Sequence, residues 1–209
     1  MDFLPTGPSY DGASLDIESL GGDPLEAARR WLEEAYVAHV PQPNALSLAT
    51  ASELGRPSVR TVLLKAIDEG FVFFTNYGSR KGEELETNPW AAGSLTWLTL
   101  HRQVRAAGRV ERTSLAESDE YFATRPRGAQ LAAAASTQSR VLSSRQELVD
   151  RVAELADRHP EEVPRPQQWG GYRMIPTRME FWQGRVDRMH DRVEFVRHGD
   201  GWLNRLLWP

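Results

Sequence analysis

The sequence predicts a mainly antiparallel β fold, a sheet closed into a barrel with α-helices packed outside it. Runs with strand period fall in two blocks, 45–111 and 172–207, and the turns inside each block are short, as antiparallel neighbours require. Capped helical stretches lie mostly between the blocks rather than after each strand, whereas a parallel doubly wound sheet would need a helix after nearly every strand.

Residues 1–22 are rich in Gly, Pro, Ser and Asp without period and read as an arm outside the core, leaving 23–209 as a single domain. Asp23-Pro24-Leu25-Glu26 then supplies a cap, a proline at the first helical position and an early acid. The helix it opens, from about Pro24 to His39, carries Leu25, Ala28, Leu32 and Ala35 on one face. Apolar runs at Leu46–Ala49, Thr61–Leu64 and Phe71–Phe74 read as strands parted by Glu53-Leu54-Gly55 and Asp68-Glu69-Gly70. A short helix starts at Gly78-Ser79-Arg80-Lys81 and ends before Asn88-Pro89. Strands follow at Ala91–Leu98 and Gln103–Glu111, the second with Val104, Ala106, Gly108 and Val110 on its buried face. Ser114-Leu115-Ala116-Glu117 and Ser144-Arg145-Gln146-Glu147 both read as capping boxes; the second helix has an apolar stripe at Leu148, Val152, Leu155 and Ala156 and ends near His159-Pro160. The last strands are read at Tyr172–Ile175, Arg178–Trp182, Arg192–Val196 and Trp202–Leu207.

Composition prunes the function classes. At 209 residues and 40% hydrophobic content the chain can build one real core. Its formal charge of -4, from 25 basic and 29 acidic residues, gives no overall attraction to nucleic acid or an anionic membrane, so a bound anion needs a local cluster. Without cysteine there is no disulfide, thiolate metal site or thiol nucleophile, and the five histidines lack ligand spacing, so no metal site is expected. No glycine-rich dinucleotide fingerprint, P-loop or nucleophile elbow occurs. With neither a leader pattern nor a long apolar run, the reading is a cytoplasmic protein.

What remains is a set of cations among strands. Arg60 and Lys65 flank Thr61–Leu64 and by alternation face opposite sides unless a bulge intervenes. Arg80 and Lys81 stand at a helix start, where free N–H groups favour an anion. Tyr121 and Arg125, placed four apart on the helix begun by Ser114, could grip one phosphate. Arg188-Met189-His190-Asp191-Arg192 offers an imidazole among charges, and Trp182 could floor a planar ligand.

Taken in order, Arg60-Thr-Val-Leu-Leu-Lys65, Phe74-Thr-Asn-Tyr-Gly-Ser-Arg-Lys81, Arg102-Gln-Val104, Tyr121-Phe-Ala-Thr-Arg-Pro-Arg127, Gln138-Ser139, Trp169-Gly-Gly171, Glu180-Phe-Trp-Gln-Gly184 and Arg188-Met-His-Asp-Arg192 resemble the pyridoxamine 5'-phosphate oxidase family. The resemblance covers nearly the whole chain from Asp23. It implies an FMN-binding split β-barrel acting as a homodimer, with FMN held in the subunit interface and no nucleic-acid or membrane partner. The reaction it implies is oxidation of pyridoxamine or pyridoxine 5'-phosphate to pyridoxal 5'-phosphate, dioxygen becoming hydrogen peroxide. By the same resemblance FMN would be held by Arg60, Thr61, Val62, Leu63, Lys65, Phe74, Thr75, Arg80, Lys81, Gln103, Gln138, Ser139, Trp182 and Arg192. The substrate phosphate would meet Lys65, Tyr121 and Arg125, while Arg188 and His190, the catalytic pair, would hold its ring against the flavin.

The chain departs from that pattern on the substrate side. Ala129 stands where the family usually has a serine on the phosphate, and Gly7 replaces an arginine three residues before Tyr10. Ala132–Ala135 is a plain alanine run, and the ending is stretched to Arg205-Leu-Leu-Trp-Pro209. These departures keep open an alternative, a related flavin oxidase of phenazine biosynthesis that acts on a dihydro tricycle without phosphate.

Overall fold

The computed structural model describes Tyr10 and residues 12–209; Gly7 lies outside the described residues. A short helix α1 (Ile17–Leu20) is capped by Asp16, and helix α2 (Pro24–Val37) by Asp23, whose carboxylate accepts from Leu25 N. Leu20 is fully buried, with Leu15 and Ile17 packed near it, so the reading of 1–22 as outside the core fails there. Leu15, Ile17 and Leu20 span too short a stretch to register as a helical period in the sequence. The buried face of α2 is Leu25, Ala28 and Ala35 as expected, joined by Ala27 and Trp31, with Leu32 only half-buried.

Strands β1 (Ala45–Ala51), β2 (Pro57–Ile67), β3 (Phe71–Asn76), β4 (Trp90–Trp97), β5 (Arg102–Arg112) and β6 (Trp169–Gln183) lie in the order β3-β2-β1-β4-β5-β6, and antiparallel pairing of β3 with β6 closes them into a barrel. Strands β7 (Asp191–His198) and β8 (Gly201–Leu206) extend the sheet beyond β6. The barrel is split because β6 changes partner along its length. Trp169–Met174 pairs with β3, Arg178–Gln183 pairs with β7, and β5 runs beside both halves.

The sequence predicts two strands where β6 runs as one, and the cause of that division is real. Gly108 opposes Pro176 while Ala107 opposes Arg178, which leaves Thr177 as an extra residue in a bulge. Pro176 cannot donate to a ladder and marks the bend. Gly108 is required opposite it, since a Cβ there would stand 1.9 Å from Ile175 O. Gly108→Ala is therefore expected to cost about 2 kcal/mol, the order found for overpacked interiors, read as a lower urea midpoint.

The main core gathers Leu46, Leu48, Leu95, Val104, Met179 and Phe195 with the α2 face. Trp31 meets Phe181 edge-on at 5.2 Å and Trp97 at 6.5 Å. A second cluster forms where α4 (Leu115–Thr124), α5 (Arg127–Ala135) and α6 (Arg145–Arg158) cover β3 and the start of β6, around Phe122, Leu131, Val163 and Trp169. The Ser114–Glu117 capping box is present in full. At α6 only half of the expected box forms: Ser144 Oγ accepts from Glu147 N, but the Glu147 carboxylate accepts from Ser143 Oγ. Ser143, standing just outside the cap, competes for that carboxylate. Among the described residues no helix is long and apolar enough to cross a membrane.

Candidate functional site

The clearest cluster of cations is built at the start of α3 (Arg80–Thr87). Ser79 caps this helix, leaving the next side chains to fold back over β3. Lys81 is buried, and its ammonium donates to Thr75 Oγ1 at 3.0 Å, Gln138 Oε1 at 2.8 Å and Ser79 Oγ at 3.3 Å, all neutral oxygens. Burial, and secondarily the Arg60 charge, lower its pKa to about 8. Arg60 reaches the same place from β2, donating to Thr50 Oγ1 at 2.6 Å and pairing with Glu84 at 3.2 Å. Burial alone would raise the Glu84 pKa, but hydrogen bonds from Ser58, Thr50, Arg80 and Arg60 bring it down to about 2, so it stays ionised and aligns both arginines. Ser139, in left-handed backbone geometry, joins Arg60, Thr61, Arg80, Lys81 and Gln138 around a cavity of about 400 Å³.

A second cavity, of about 380 Å³, shares Gln138 with the first and adds Leu63, Lys65, Tyr121, Arg125 and Trp169. A β-bulge does occur in β2, between Leu64 and Ala66. Arg60 lines the first cavity and Lys65 the second. The wall here is an aromatic stack, Phe74 lying 4.1 Å from Tyr121 and 5.5 Å from Trp169. Lys65 sits over the Tyr121 ring at 5.5 Å and Arg125 over the Trp169 ring at 4.7 Å.

Tyr121 and Arg125 meet by a different route from the shared helix face read in the sequence. Helix α4 ends at Thr124, and Arg125 is extended (φ -74°, ψ 144°) because Pro126 forbids the helical conformation before it. That turn sends the guanidinium under the stack, where Nη1 is buried with no hydrogen-bond partner. Burial lowers the Arg125 pKa, against a smaller raising effect of Tyr121. A buried guanidinium edge without a carboxylate is poised for an anion. Ala132 and Ala133 line this cavity too, so the alanine run leaves it open.

The remaining candidates lie along the second half of β6. Gln103, Trp182 and Arg192 occupy one transverse row of β5, β6 and β7. Arg192 donates to Glu180 at 2.8 Å and to Trp208 O at 2.8 Å, so the stretched C-terminus ends against this row. His190 lies 4.7 Å from the Trp182 ring, and Tyr10 stands edge-on to His190, Trp182 and His101 at 5.3, 5.6 and 5.0 Å. Arg188 has a left-handed backbone, φ 61°. Of the other positions in the matching stretches, Val62 packs on the core and Phe74 forms the stack. Glu84, Asn76 and Trp169 were not singled out from sequence as site residues; the Arg80–Glu84 spacing was the available signal for the first.

The outer face of the sheet carries small side chains, Ser47, Ala49, Ala92, Ser94 and Ala107, beside a groove of about 560 Å³. In it the buried carboxylates Glu180 and Glu194 are paired with Arg105, Arg192, Arg178 and Arg205.

Two family models match the chain: pyridoxamine 5'-phosphate oxidase over 32–159, and the pyridoxine 5'-phosphate oxidase C-terminal dimerisation region over 169–209. The pyridoxine/pyridoxamine 5'-phosphate oxidase of Rubrobacter xylanophilus is 54% identical over 202 residues, 96% of this chain and 93% of the relative. The corresponding protein of Burkholderia ambifaria is 52% identical over 190 residues, 90% of this chain and 89% of the relative. Among solved structures, PhzG from Burkholderia lata, in complex with tetrahydrophenazine-1-carboxylic acid, superposes with a TM-score of 0.91 at 35% identity, covering 97% of this chain and all of that one. An FMN-binding protein of Nostoc punctiforme, with a TM-score of 0.73 at 17% identity over 90% of this chain and 98% of its own, shares the fold.

Proposed function

The chain belongs to the pyridoxamine 5'-phosphate oxidase family, and from that premise we propose that it oxidises pyridoxamine or pyridoxine 5'-phosphate to pyridoxal 5'-phosphate, with FMN as cofactor. The balance for the amine is a primary amine, dioxygen and water giving aldehyde, ammonia and hydrogen peroxide. Bound FMN supplies the two-electron acceptor and returns the electrons to dioxygen. The residues fit such a group. Lys81 is a buried cation held only by neutral oxygens, and Arg60, Arg80 and Ser139 add donors around the same cavity, the donor set a phosphate ester needs.

The observation that carries the substrate side is the unpartnered Arg125 guanidinium with Lys65 at the other end of the aromatic stack. Together with Tyr121 they would hold the substrate phosphate and so orient its far end, placement that can supply much of the rate. Arg188 and His190 would steady the ring, and Trp182 with Gln103 and Arg192 would complete the flavin site. We place that second group across a homodimer interface formed by the small-residue face, a reading supported by the dimerisation-region match over β6 to β8.

Purified protein reconstituted with FMN is expected to release hydrogen peroxide on addition of pyridoxamine or pyridoxine 5'-phosphate. Absence of turnover with both, alongside rapid anaerobic bleaching of the flavin by a dihydrophenazine carboxylate, would replace this reading with the one favoured by the likeness to PhzG.

A further inference from the structure

We infer that the loop from Arg185 to Asp191 locks His190 with its proton on Nε2, so that this imidazole can only donate. The substrate must then present a hydrogen-bond acceptor, an anionic or carbonyl-like oxygen on the ring, to that position. This rests on the reading of His190 as a ring-holding residue given above.

The backbone N–H of Arg185 donates to His190 Nδ1 at 3.0 Å. A peptide N–H cannot accept, so Nδ1 must be unprotonated, and in a neutral imidazole the proton then sits on Nε2. Turning the ring over would put a carbon against that N–H and leave it unpaired in a half-buried place, which selects the ring orientation as well.

The loop is built to hold this arrangement. Asp187 and Arg188 are both left-handed, with φ of 53° and 61°, which folds the chain back on Arg185. Its two ends are tied to the N-terminal arm: Arg185 Nη1 donates to Gly12 O at 3.1 Å and Asp191 Oδ2 accepts from Leu15 N at 2.9 Å. Trp182 from β6 and Tyr10 from the arm close on the ring.

The charges facing it favour the neutral form. Burial and then Arg188 lower the His190 pKa, opposed by Asp191, whose charge is shared with Arg185 at 3.7 Å. Tyr10 and Trp182 bring no full charge. An imidazolium would moreover have to give up the Arg185 N–H. With Nδ1 occupied and Nε2 already protonated, His190 cannot take the proton that leaves the substrate amine, so its work is recognition of the ring edge.

Long-range ¹H–¹⁵N spectra of the histidine-labelled holoenzyme at pH 8, with the His190 signals assigned from their loss in His190→Gln, should show the proton on Nε2; a proton on Nδ1 overturns the inference. Kinetically, His190→Gln keeps an N–H near the Nε2 position whereas His190→Asn moves it to the Nδ1 position. The glutamine variant is expected within about tenfold of wild-type kcat/KM and the asparagine variant about tenfold lower again, the scale of one hydrogen bond. Equal losses in the two, with flavin content and Tm unchanged, would also overturn it. If the wild type turns over no phosphate ester while the spectrum shows Nε2–H, the donor assignment stands and only the substrate reading falls.

Discussion

Arg125→Met is expected to lower kcat/KM for pyridoxamine 5'-phosphate by about 100-fold, chiefly through KM, while FMN content stays that of the wild type. The guanidinium stacks on Trp169 and keeps Nη1 buried and unpartnered, so its free hydrogen-bonding capacity faces the cavity it shares with Lys65. A hydrogen bond to a charged group is worth about 1.5–3 kcal/mol, and a guanidinium can make two to one phosphate, so a loss near 3 kcal/mol is a floor on the effect. Because the phosphate does not change during the reaction, the contact stabilises ground state and transition state alike, which puts the loss in KM.

A stability signature separates this from general damage. Burial of an unpaired cation costs the free protein, so the methionine variant should melt above the wild type without substrate. Steady-state kinetics and a melt on the same preparation test both halves. Unchanged kcat/KM would mean an idle clamp and would favour a substrate without phosphate.

How far such sites can be read from sequence depends on what brings their parts together. Period and turn chemistry locate nearly every strand, because each is an alternation of a few residues with a short turn after it. Closure of the barrel is another matter: nothing local in Phe71–Asn76 says that its antiparallel partner is Trp169–Met174, nearly a hundred residues further along the chain. Only the bulge at Thr177, visible in sequence as the break at Pro176, marks the place where one long strand changes partner from β3 to β7.

The site behaves likewise. Family-like stretches name Arg60, Lys81 and Gln138, yet only folding shows that Lys81 points inward to Gln138, 57 residues on, rather than outward as a surface lysine. Arg125 is the converse case. Helical spacing put it on a face with Tyr121, and a single proline moved it beneath the aromatic stack instead. Glu84 is not legible in the sequence because a glutamate in a charged helix reads as solvated, whereas here Thr50, Ser58 and two arginines surround it.

Lys81→Met is expected to weaken FMN binding by at least 100-fold and to abolish its pH dependence above pH 8. In the free protein burial holds the Lys81 pKa at about 8, well below the ordinary 10.5. A folded-state pKa that is lowered for a cation means a penalty for charge that is present below about 8 and relieved as pH rises toward 10.5, so the free protein gains stability over that window. A phosphate dianion against Nζ reverses the preference and restores the higher pKa, so binding must take up a proton wherever the free lysine has lost it. FMN affinity should then be flat below pH 8 and fall up to tenfold per pH unit above it, a slope absent in Lys81→Met, whose affinity is low throughout. Fluorescence titration of FMN at pH 7, 8, 9 and 10 measures this directly, since flavin emission changes on binding. Wild-type affinity that stayed level to pH 10 would remove Lys81 from the phosphate and leave Arg60 and Arg80 as its holders.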